Sequence, residues 1–167
     1  MPASMPTDMD DTSFYNRLSV TVDVVIFSLV DGDLKVLLIK RKYQPFQGEW
    51  AIPGGFVQDD ESLETAAQRK LAEETGVKDV YIEQLYTFGD PHRDPRTRVI
   101  TIAYFALVPA DAIAAERLQG GEDDVQLFDT ADLPPLAFDH REILDYALER
   151  LRYKLEYTAV GFRLLPD

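Results

Sequence analysis

Two adjacent carboxylates, Glu73 and Glu74, lie in a stretch whose residue types predict a helix. At 100° per residue, Ala66, Lys70, Glu73 and Glu74 fall within about 100° of one another on that helix. Neighbouring carboxylates are costly to hold together unless a cation lies between them, and Mg²⁺ takes oxygen ligands while it keeps some of its waters. Such an ion can bridge a substrate phosphate. The alternative is a pair of solvated helix charges in which Lys70 pairs with Glu74.

The residues around this pair predict the elements that would hold it in place. The segment Glu61–Thr75 contains good helix formers without Pro or Gly, and Gly76 follows where a left-handed helix end needs glycine. Just before the helix, Pro53-Gly54-Gly55 leaves main chain uncovered, so that a carbonyl or amide group can approach the carboxylates. The pattern therefore predicts a loop followed by a helix that present polar groups to the same place.

The rest of the chain predicts a mixed sheet and a second helix. Apolar and polar residues alternate from Ser19 to about Leu29, which is typical of a strand, and a turn signal at residues 30–33 precedes a return strand at Leu34–Lys40. Further strands are predicted at Val80–Phe88, Arg98–Val108 and Val125–Phe128, and a helix with a capping box formed by Asp139 and Glu142 at Asp139–Tyr157. Two helices with mixed strands predict an α+β class, or α/β with a mixed sheet.

Composition limits the class of protein and its partners. The 167 residues suggest one domain with tails: a flexible N-terminal tail (1–18), a main domain (19–135) and a C-terminal helix with its following tail (136–167). The absence of cysteine and the presence of two histidines exclude disulfides, thiolate zinc sites and multi-histidine metal sites. A net charge of −13 repels phosphates, so we expect no nucleic-acid binding by this chain alone. The lack of a long apolar run and of a signal peptide predicts a cytoplasmic protein without a membrane partner.

The stretch Gly55–Val77 resembles the Nudix box, Gly-x5-Glu-x7-Arg-Glu-(apolar)-x-Glu-Glu-x-Gly-(apolar), and Trp50–Gly55 is similar to its usual lead-in. All defined positions but one fit at the right spacing: Gly55, Glu61, Arg69, Leu71, Glu73, Glu74, Gly76 and Val77. The resemblance covers roughly Val20 to Pro135. It implies a Nudix fold, in which a mixed sheet is sandwiched between helices, and cleavage of the pyrophosphate of a nucleoside diphosphate derivative with Mg²⁺ or Mn²⁺ as cofactor.

The resemblance also implies roles for single residues. Glu74 and Glu73 are expected to bind the metal, with the carbonyl of Gly54 as a third oxygen ligand. Glu61 and Arg69 are expected to hold the loop to the helix through a structural salt bridge.

One position departs from the motif, because Lys70 stands where the family has Glu. An ammonium group neither binds a metal nor activates water, and beside Glu73 and Glu74 it competes with the cation. The family sometimes takes its base from a loop outside the box, and Glu122 with the two aspartates that follow it is the candidate here. The expected catalytic residues are therefore Glu73, Glu74 and Glu122.

A second stretch, Glu83–Phe105, resembles two narrower groups: the ADP-ribose pyrophosphatase-like Nudix hydrolases and the Nudix-related transcriptional regulators of NAD metabolism. Its arginines form a basic island suited to a diphosphate, and the alternative is that Arg96 and Arg98 pair with nearby aspartates. Aromatic side chains elsewhere can stack on adenine or anchor loops. The candidates for binding the ligand are Arg41, Phe46, Trp50, Gly55, Arg93, Arg96 and Arg98.

Three functions remain open at this point. The first, which we favour because the other box positions are intact, is Mg²⁺-dependent hydrolysis of ADP-ribose or a related nucleotide sugar. The second is recognition of ADP-ribose without cleavage by the sensing domain of a regulator that lacks its DNA-binding domain. Lys70 favours the second, as does the tail, because residues 136–167 resemble the connector in those regulators. The third is an interaction domain without a nucleotide role, which the intact glycines and arginines disfavour.

The predicted helix Asp139–Tyr157 bears on the oligomeric state. Its apolar face allows either a homodimer contact or packing within its own subunit.

Overall fold

The computed structural model describes residues 17–114, 118 and 125–164, with side chains up to residue 156. Most of the predicted N-terminal tail, and Glu122, lie outside the described residues. The strands are β1 (Ser19–Val30), β2 (Asp33–Lys40), β3 (Trp50–Ala51), β4 (Gly54–Phe56), β5 (Glu83–Phe88), β6 (Val99–Leu107) and β7 (Val125–Asp129). The helices are α1 (Leu63–Thr75) and α2 (His140–Leu164), and a 3₁₀ turn spans Ala110–Ala112.

The strands form one mixed sheet with the order β3-β2-β1-β6-β5. The central strands β1 and β6 are parallel, from the pair Ser19–Val99 to the pair Phe27–Leu107. All the other paired strands are antiparallel, including β4 on β1 and β7 on β2. The sheet with two helices confirms the predicted α+β class.

The first helix covers one face of the sheet. The even-numbered residues Val22, Val24 and Ile26 of β1 pack in a buried cluster that includes Ala67 and Leu71 of α1. Ser62 begins the helix, because its hydroxyl accepts a hydrogen bond of 3.1 Å from the N–H of Thr65.

Gly76 ends this helix as the sequence predicts. It has a φ of 76°, and its N–H donates to the carbonyl of Ala72. This left-handed conformation favours glycine because a β-carbon would crowd the following carbonyl group. This cap therefore determines where α1, with its charged face, ends.

The second helix covers the opposite face. Val25 and Phe27 of β1 belong to a separate cluster with Ile143, Leu144 and Ala147 of α2. Strand β1 is therefore buried on both faces, although its sequence alternates in part. These α2 residues pack within their own subunit, and among the described residues neither helix has the length and apolar character needed to cross a bilayer.

The start of α2 differs from the predicted capping box. The N–H groups of Glu142 and Ile143 donate to the main-chain carbonyl of Asp139. Both carboxylate oxygens of Asp139 instead accept hydrogen bonds from Arg93, a residue of the loop between β5 and β6. A distant cation competes for the carboxylate, which the local sequence pattern does not reveal. The helix also continues to Leu164, beyond the predicted end at Tyr157.

Candidate functional site

A cavity of about 240 Å³ opens where β1, β4, the β5–β6 loop and the start of α2 meet. The structure brings five of the predicted site residues to its wall: Arg41, Gly54, Gly55, Arg93 and Arg96. Further wall residues include Asp23, Phe138 and His140. The wall therefore combines cationic side chains, a buried carboxylate, main chain of the glycine strand and aromatic rings.

Asp23 is a buried carboxylate in the floor of this cavity. Its Oδ2 accepts a hydrogen bond of 2.6 Å from the hydroxyl of Thr101, and it lies 4.0 Å from Nη2 of Arg93. A β-carbon on Gly54 would lie 2.2 Å from Oδ1 of Asp23 and 2.6 Å from the carbonyl of Val22. Position 54 therefore accommodates only glycine without movement of this carboxylate.

His140 is a buried imidazole beside Asp23, with 5% of its surface exposed. The N–H of Ile52 donates to its Nδ1 at 2.9 Å, while its Nε2 lies 3.6 Å from Oδ1 of Asp23. Burial lowers the pKa of His140, and the nearby carboxylates of Asp23 and Asp139 oppose that change only in part. An imidazole that accepts at Nδ1 is neutral with its proton on Nε2. The arrangement agrees with a packing role for His140.

Two of the predicted arginines are held by carboxylates. Arg93 donates to both oxygens of Asp139 at 2.9 and 2.7 Å, and only 5% of its side chain is exposed. Arg96 donates to both oxygens of Asp94 at 3.1 and 2.7 Å. Burial alone would raise the pKa of Asp94, but the hydrogen bonds from Arg96 outweigh it and hold this pKa below its usual value. The guanidinium groups are therefore fixed in place and largely neutralised.

Arg41 differs from these two arginines. Its Nε donates to the carbonyl of Pro45 at 2.8 Å, and its guanidinium lies 4.8 Å from the ring centroid of Phe138. Burial lowers its pKa, and repulsion from Arg96 adds to this effect. Within the described part of the chain, Arg41 forms no salt bridge. A partly buried cation in this state is well suited to accept an anionic ligand.

The aromatic candidates and Arg98 lie outside the cavity wall. Phe46 packs against Phe138 with ring centroids 4.7 Å apart, so it supports a wall residue. Trp50 packs edge-on against Phe128 at 4.7 Å and belongs to the cluster under α2. Arg98 immediately precedes β6, and its main-chain carbonyl accepts from the N–H of Ser19.

The loop before α1 is tied to the helix by a salt bridge. Arg69 donates to both oxygens of Glu61, at 3.1 and 2.7 Å, and to the carbonyl of Phe56 at 3.3 Å. The hydrogen bonds from Arg69 lower the pKa of Glu61. The same guanidinium donates to Oε1 of Glu73 at 3.1 Å, so it connects the loop to the carboxylate face of α1.

Lys70 occupies the space between α1 and the glycine loop. Its Nζ donates to Oε2 of Glu73 at 2.9 Å. A β-carbon on Gly55 would lie 3.3 Å from both Cδ and Cε of Lys70, and 3.5 Å from its Nζ. Burial by itself would raise the pKa of Glu73, but the hydrogen bonds from Lys70 and Arg69 outweigh it and lower this pKa. Glu74 is half-buried next to Glu73 on the same helix.

These contacts bear on the divalent metal that the sequence leads us to expect. Each carboxylate oxygen of Glu73 is already bonded to a cationic side chain. Among the residues that the structure describes, no group of three or more His, Asp, Glu or Cys side chains is arranged to hold a metal ion. The described residues therefore do not fit a preformed Mg²⁺ site. Glu122 lies outside them.

The sequence did not single out as site residues Asp23 and Phe138, which line the cavity, or Asp139, which holds Arg93 of its wall. Phe138 has a φ of 51°, which its sequence neighbours do not predict. The sequence does contain a clue to the role of Asp23, because this residue shares one face of β1 with the apolar Val25 and Phe27. A charged residue in a strand with apolar neighbours on both faces must find a partner.

Comparisons with known proteins agree with the motif. A family profile described as the NUDIX domain matches residues 20–147. The ADPR responsive transcriptional repressor NtrR of Acinetobacter baylyi is 40% identical over 156 residues, which are 92% of this chain and 62% of the repressor. The chain thus spans less than two thirds of that relative. The ADP-ribose pyrophosphatase of Methanocaldococcus jannaschii is 41% identical over 133 residues, which are 78% of this chain and 76% of the relative.

A solved structure is similar over nearly its whole length. The NUDIX domain of Shewanella oneidensis NrtR, complexed with ADP ribose, is 42% identical and superposes with a TM-score of 0.74. The alignment covers 86% of this chain and 94% of that domain. The similar proteins therefore include a pyrophosphatase and ligand-responsive regulators, which confirms the predicted resemblance to both groups.

Proposed function

The chain belongs to the Nudix family, and on this premise we propose that it binds ADP-ribose, or a closely related nucleoside diphosphate sugar, and senses it without efficient cleavage. The family membership rests on the profile that matches residues 20–147. The binding and the lack of cleavage rest on separate observations.

The cavity supports binding of a diphosphate. Arg41 offers a cation without a salt-bridge partner in the described chain, while Arg93 and Arg96 are fixed beside it by their carboxylates. The uncovered main chain of Gly54 and Gly55 allows phosphate oxygens a close approach. The Shewanella domain with 42% identity was solved with ADP ribose bound, which favours the same ligand here.

The observation that carries the lack of cleavage is the contact of Lys70 with Glu73. Pyrophosphate hydrolysis in this family depends on a metal-binding carboxylate face, and here an ammonium lies 2.9 Å from one of its two carboxylates. Arg69 holds the other oxygen of that carboxylate. A divalent cation that binds Glu73 must therefore compete with both of these cationic partners for the carboxylate.

A second candidate function is hydrolysis of ADP-ribose. It is favoured by the Methanocaldococcus pyrophosphatase, which is 41% identical and is covered over 76% of its length. Glu73 and Glu74 are also both present in this chain. In this case a residue outside the described part of the chain supplies the missing base.

The two candidates are separated by measuring AMP release from ADP-ribose in Mg²⁺, beside a binding isotherm under the same conditions. The unmodified chain and two variants are compared: Lys70→Glu, and Lys78→Glu as a control that makes the same charge change at an exposed residue after α1. We expect the unmodified chain to bind ADP-ribose and release AMP only at background rate. Lys70→Glu should raise AMP release by about a hundredfold, the lower end of what a positioned acid–base group contributes.

Turnover by the unmodified chain as fast as that of Lys70→Glu contradicts sensing and establishes the hydrolase. Absence of ADP-ribose binding in all three proteins contradicts both candidates. An equal gain in Lys78→Glu would show that the effect comes from overall charge and not from the site.

A further inference from the structure

We propose that the ammonium of Lys70 takes the place of a divalent cation, so that this site binds its diphosphate ligand without a metal. The inference rests on the proposed function for the identity of the ligand. It goes further than the proposed function because it assigns the positive charge that balances the ligand to Lys70 and not to a bound metal.

The first step of the argument is the position of the ammonium. The stem of Lys70 runs past Gly55, since a β-carbon added to that glycine would lie only 3.3 Å from its Cδ and Cε, and its Nζ ends on Glu73. Gly55 also lines the cavity. Only 17% of the Lys70 side chain is exposed, so packing on Gly55 holds the charge beside the main chain of the cavity wall.

The second step is the charge balance around α1. Arg69 and Lys70 contribute two positive charges, and Glu61 and Glu73 contribute two negative ones, all linked by hydrogen bonds. These four groups balance one another without a metal, and Glu74 beside them adds one negative charge. A divalent cation placed on Glu73 would lie close to the ammonium and the guanidinium and be repelled by both.

The third step is the chemistry of the ligand. An ammonium group has three donors, and Glu73 takes one of them. A diphosphate needs positive charge and hydrogen-bond donors, which a Lys ammonium supplies as a point charge. Arg41 lines the cavity and Lys70 approaches Gly55 of its wall, so that the two charges together can neutralise the ligand in place of a bridging Mg²⁺.

The first test uses a metal alone and no ligand. Mn²⁺ is titrated into the unmodified chain, Lys70→Glu and Lys78→Glu, and free Mn²⁺ is followed by electron paramagnetic resonance. We expect Lys70→Glu to bind Mn²⁺ at least about tenfold more tightly than the other two proteins, because it replaces a repelling charge by a ligand. Equal affinity of the unmodified chain and Lys70→Glu would overturn the inference.

The second test measures ADP-ribose binding by calorimetry in EDTA and in Mg²⁺. The unmodified chain should bind with the same affinity in both, within about threefold, whereas Lys70→Glu should lose about tenfold in EDTA and recover part of it in Mg²⁺. Lys70→Arg keeps the charge and should retain binding in EDTA. Loss of binding by the unmodified chain in EDTA would overturn the inference.

These outcomes are distinguishable from failure of the proposed function. AMP release in Mg²⁺ contradicts sensing, while metal-free binding in EDTA still supports the role of Lys70. If ADP-ribose does not bind at all, the Mn²⁺ titration still decides whether Lys70 excludes the metal.

Discussion

At the scale of single residues, the buried imidazole of His140 lines the cavity. Its protonation makes the stability of the fold depend on pH. His140 accepts from the N–H of Ile52 and faces Asp23, and burial lowers its pKa. Asp23 and Asp139 favour its protonated form, while Arg93 and Arg41 oppose it. The folded chain therefore resists protonation of this residue.

We predict that His140 makes the free energy of unfolding fall as the pH drops below the ordinary histidine value of 6.5. Below that value the unfolded chain binds a proton at His140 and the folded chain does not. Protonation therefore stabilises the unfolded state and lowers the free energy of unfolding. Above it both states hold the neutral form and the effect is absent. The slope attributable to this residue is at most about 1.4 kcal/mol per pH unit.

The measurement is urea unfolding between pH 7.5 and 5.0 for the unmodified chain and His140→Asn, whose side-chain oxygen can accept from Ile52. The variant should show the shallower dependence. His92→Asn, at the exposed histidine of the β5–β6 loop, is the control and should keep the original slope. Parallel curves for the unmodified chain and His140→Asn would refute the prediction.

Residue types with a fixed spacing were the most predictable part of the site. The box positions from Gly55 to Val77 are enough to indicate the family, and Lys70 is the one position that departs from its motif. The contacts of Lys70 could not be predicted, because they depend on how closely the glycine strand approaches α1. Asp139 was assigned to a local cap, since its partner Arg93 is 46 residues away.

At the scale of elements, the pairing of β4 with β1 allows a sharp test. We predict that Gly54→Ala lowers the free energy of unfolding by about 3 kcal/mol, the upper part of the range for overpacking. The added carbon would lie 2.2 Å from Oδ1 of Asp23, whose other oxygen is held by Thr101, and 2.6 Å from a main-chain carbonyl. The pair cannot separate without breaking the register of β1 and β4.

Gly89→Ala is the matched control for this substitution. It lies between β5 and β6, and the nearest atom to its added carbon would be Cγ1 of Ile100 at 3.9 Å. Its effect should stay within about 0.5 kcal/mol in the same urea titration. Equal losses in the two variants would show that the close approach to Asp23 is not what position 54 requires.

The elements themselves were predictable where local signals are strong. Gly76 ends α1 and the turn at residues 30–33 joins β1 to β2 as expected, whereas α1 begins after Ser62 and not at the predicted Glu61. The burial of β1 on both faces was less evident, because Thr21 and Asp23 suggest one polar face. That face is covered by α2, and a polar residue under a helix is tolerated only through the hydrogen bonds that Asp23 makes.

At the scale of the whole molecule, an acidic chain gathers several of its cations around one cavity, where carboxylates balance most of their charge. The net charge is −13, whereas Arg41, Arg93 and Arg96 line the cavity and Lys70 lies beside Gly55 of its wall. We predict that the 167-residue chain does not retard duplex DNA in a gel at low salt, even at a protein concentration of about 100 µM. This concentration corresponds to the weakest dissociation constants that are usual for non-specific DNA binding. The measurement is a gel shift in which a basic protein serves as positive control. A band that moves with the concentration of the chain would contradict the prediction.

The parallel pairing of β1 with β6 has a consequence for synthesis of the chain. Ser19 pairs with Val99, so the central strand emerges from the ribosome long before its parallel neighbour. At ordinary translation rates the interval is roughly 4–16 s, during which β2 can cover one edge of β1 while the other edge stays open. An apolar strand with a free edge is the kind of surface that chaperones bind. The nascent chain should therefore depend most on chaperone binding between the completion of the β1–β2 hairpin and the emergence of β6.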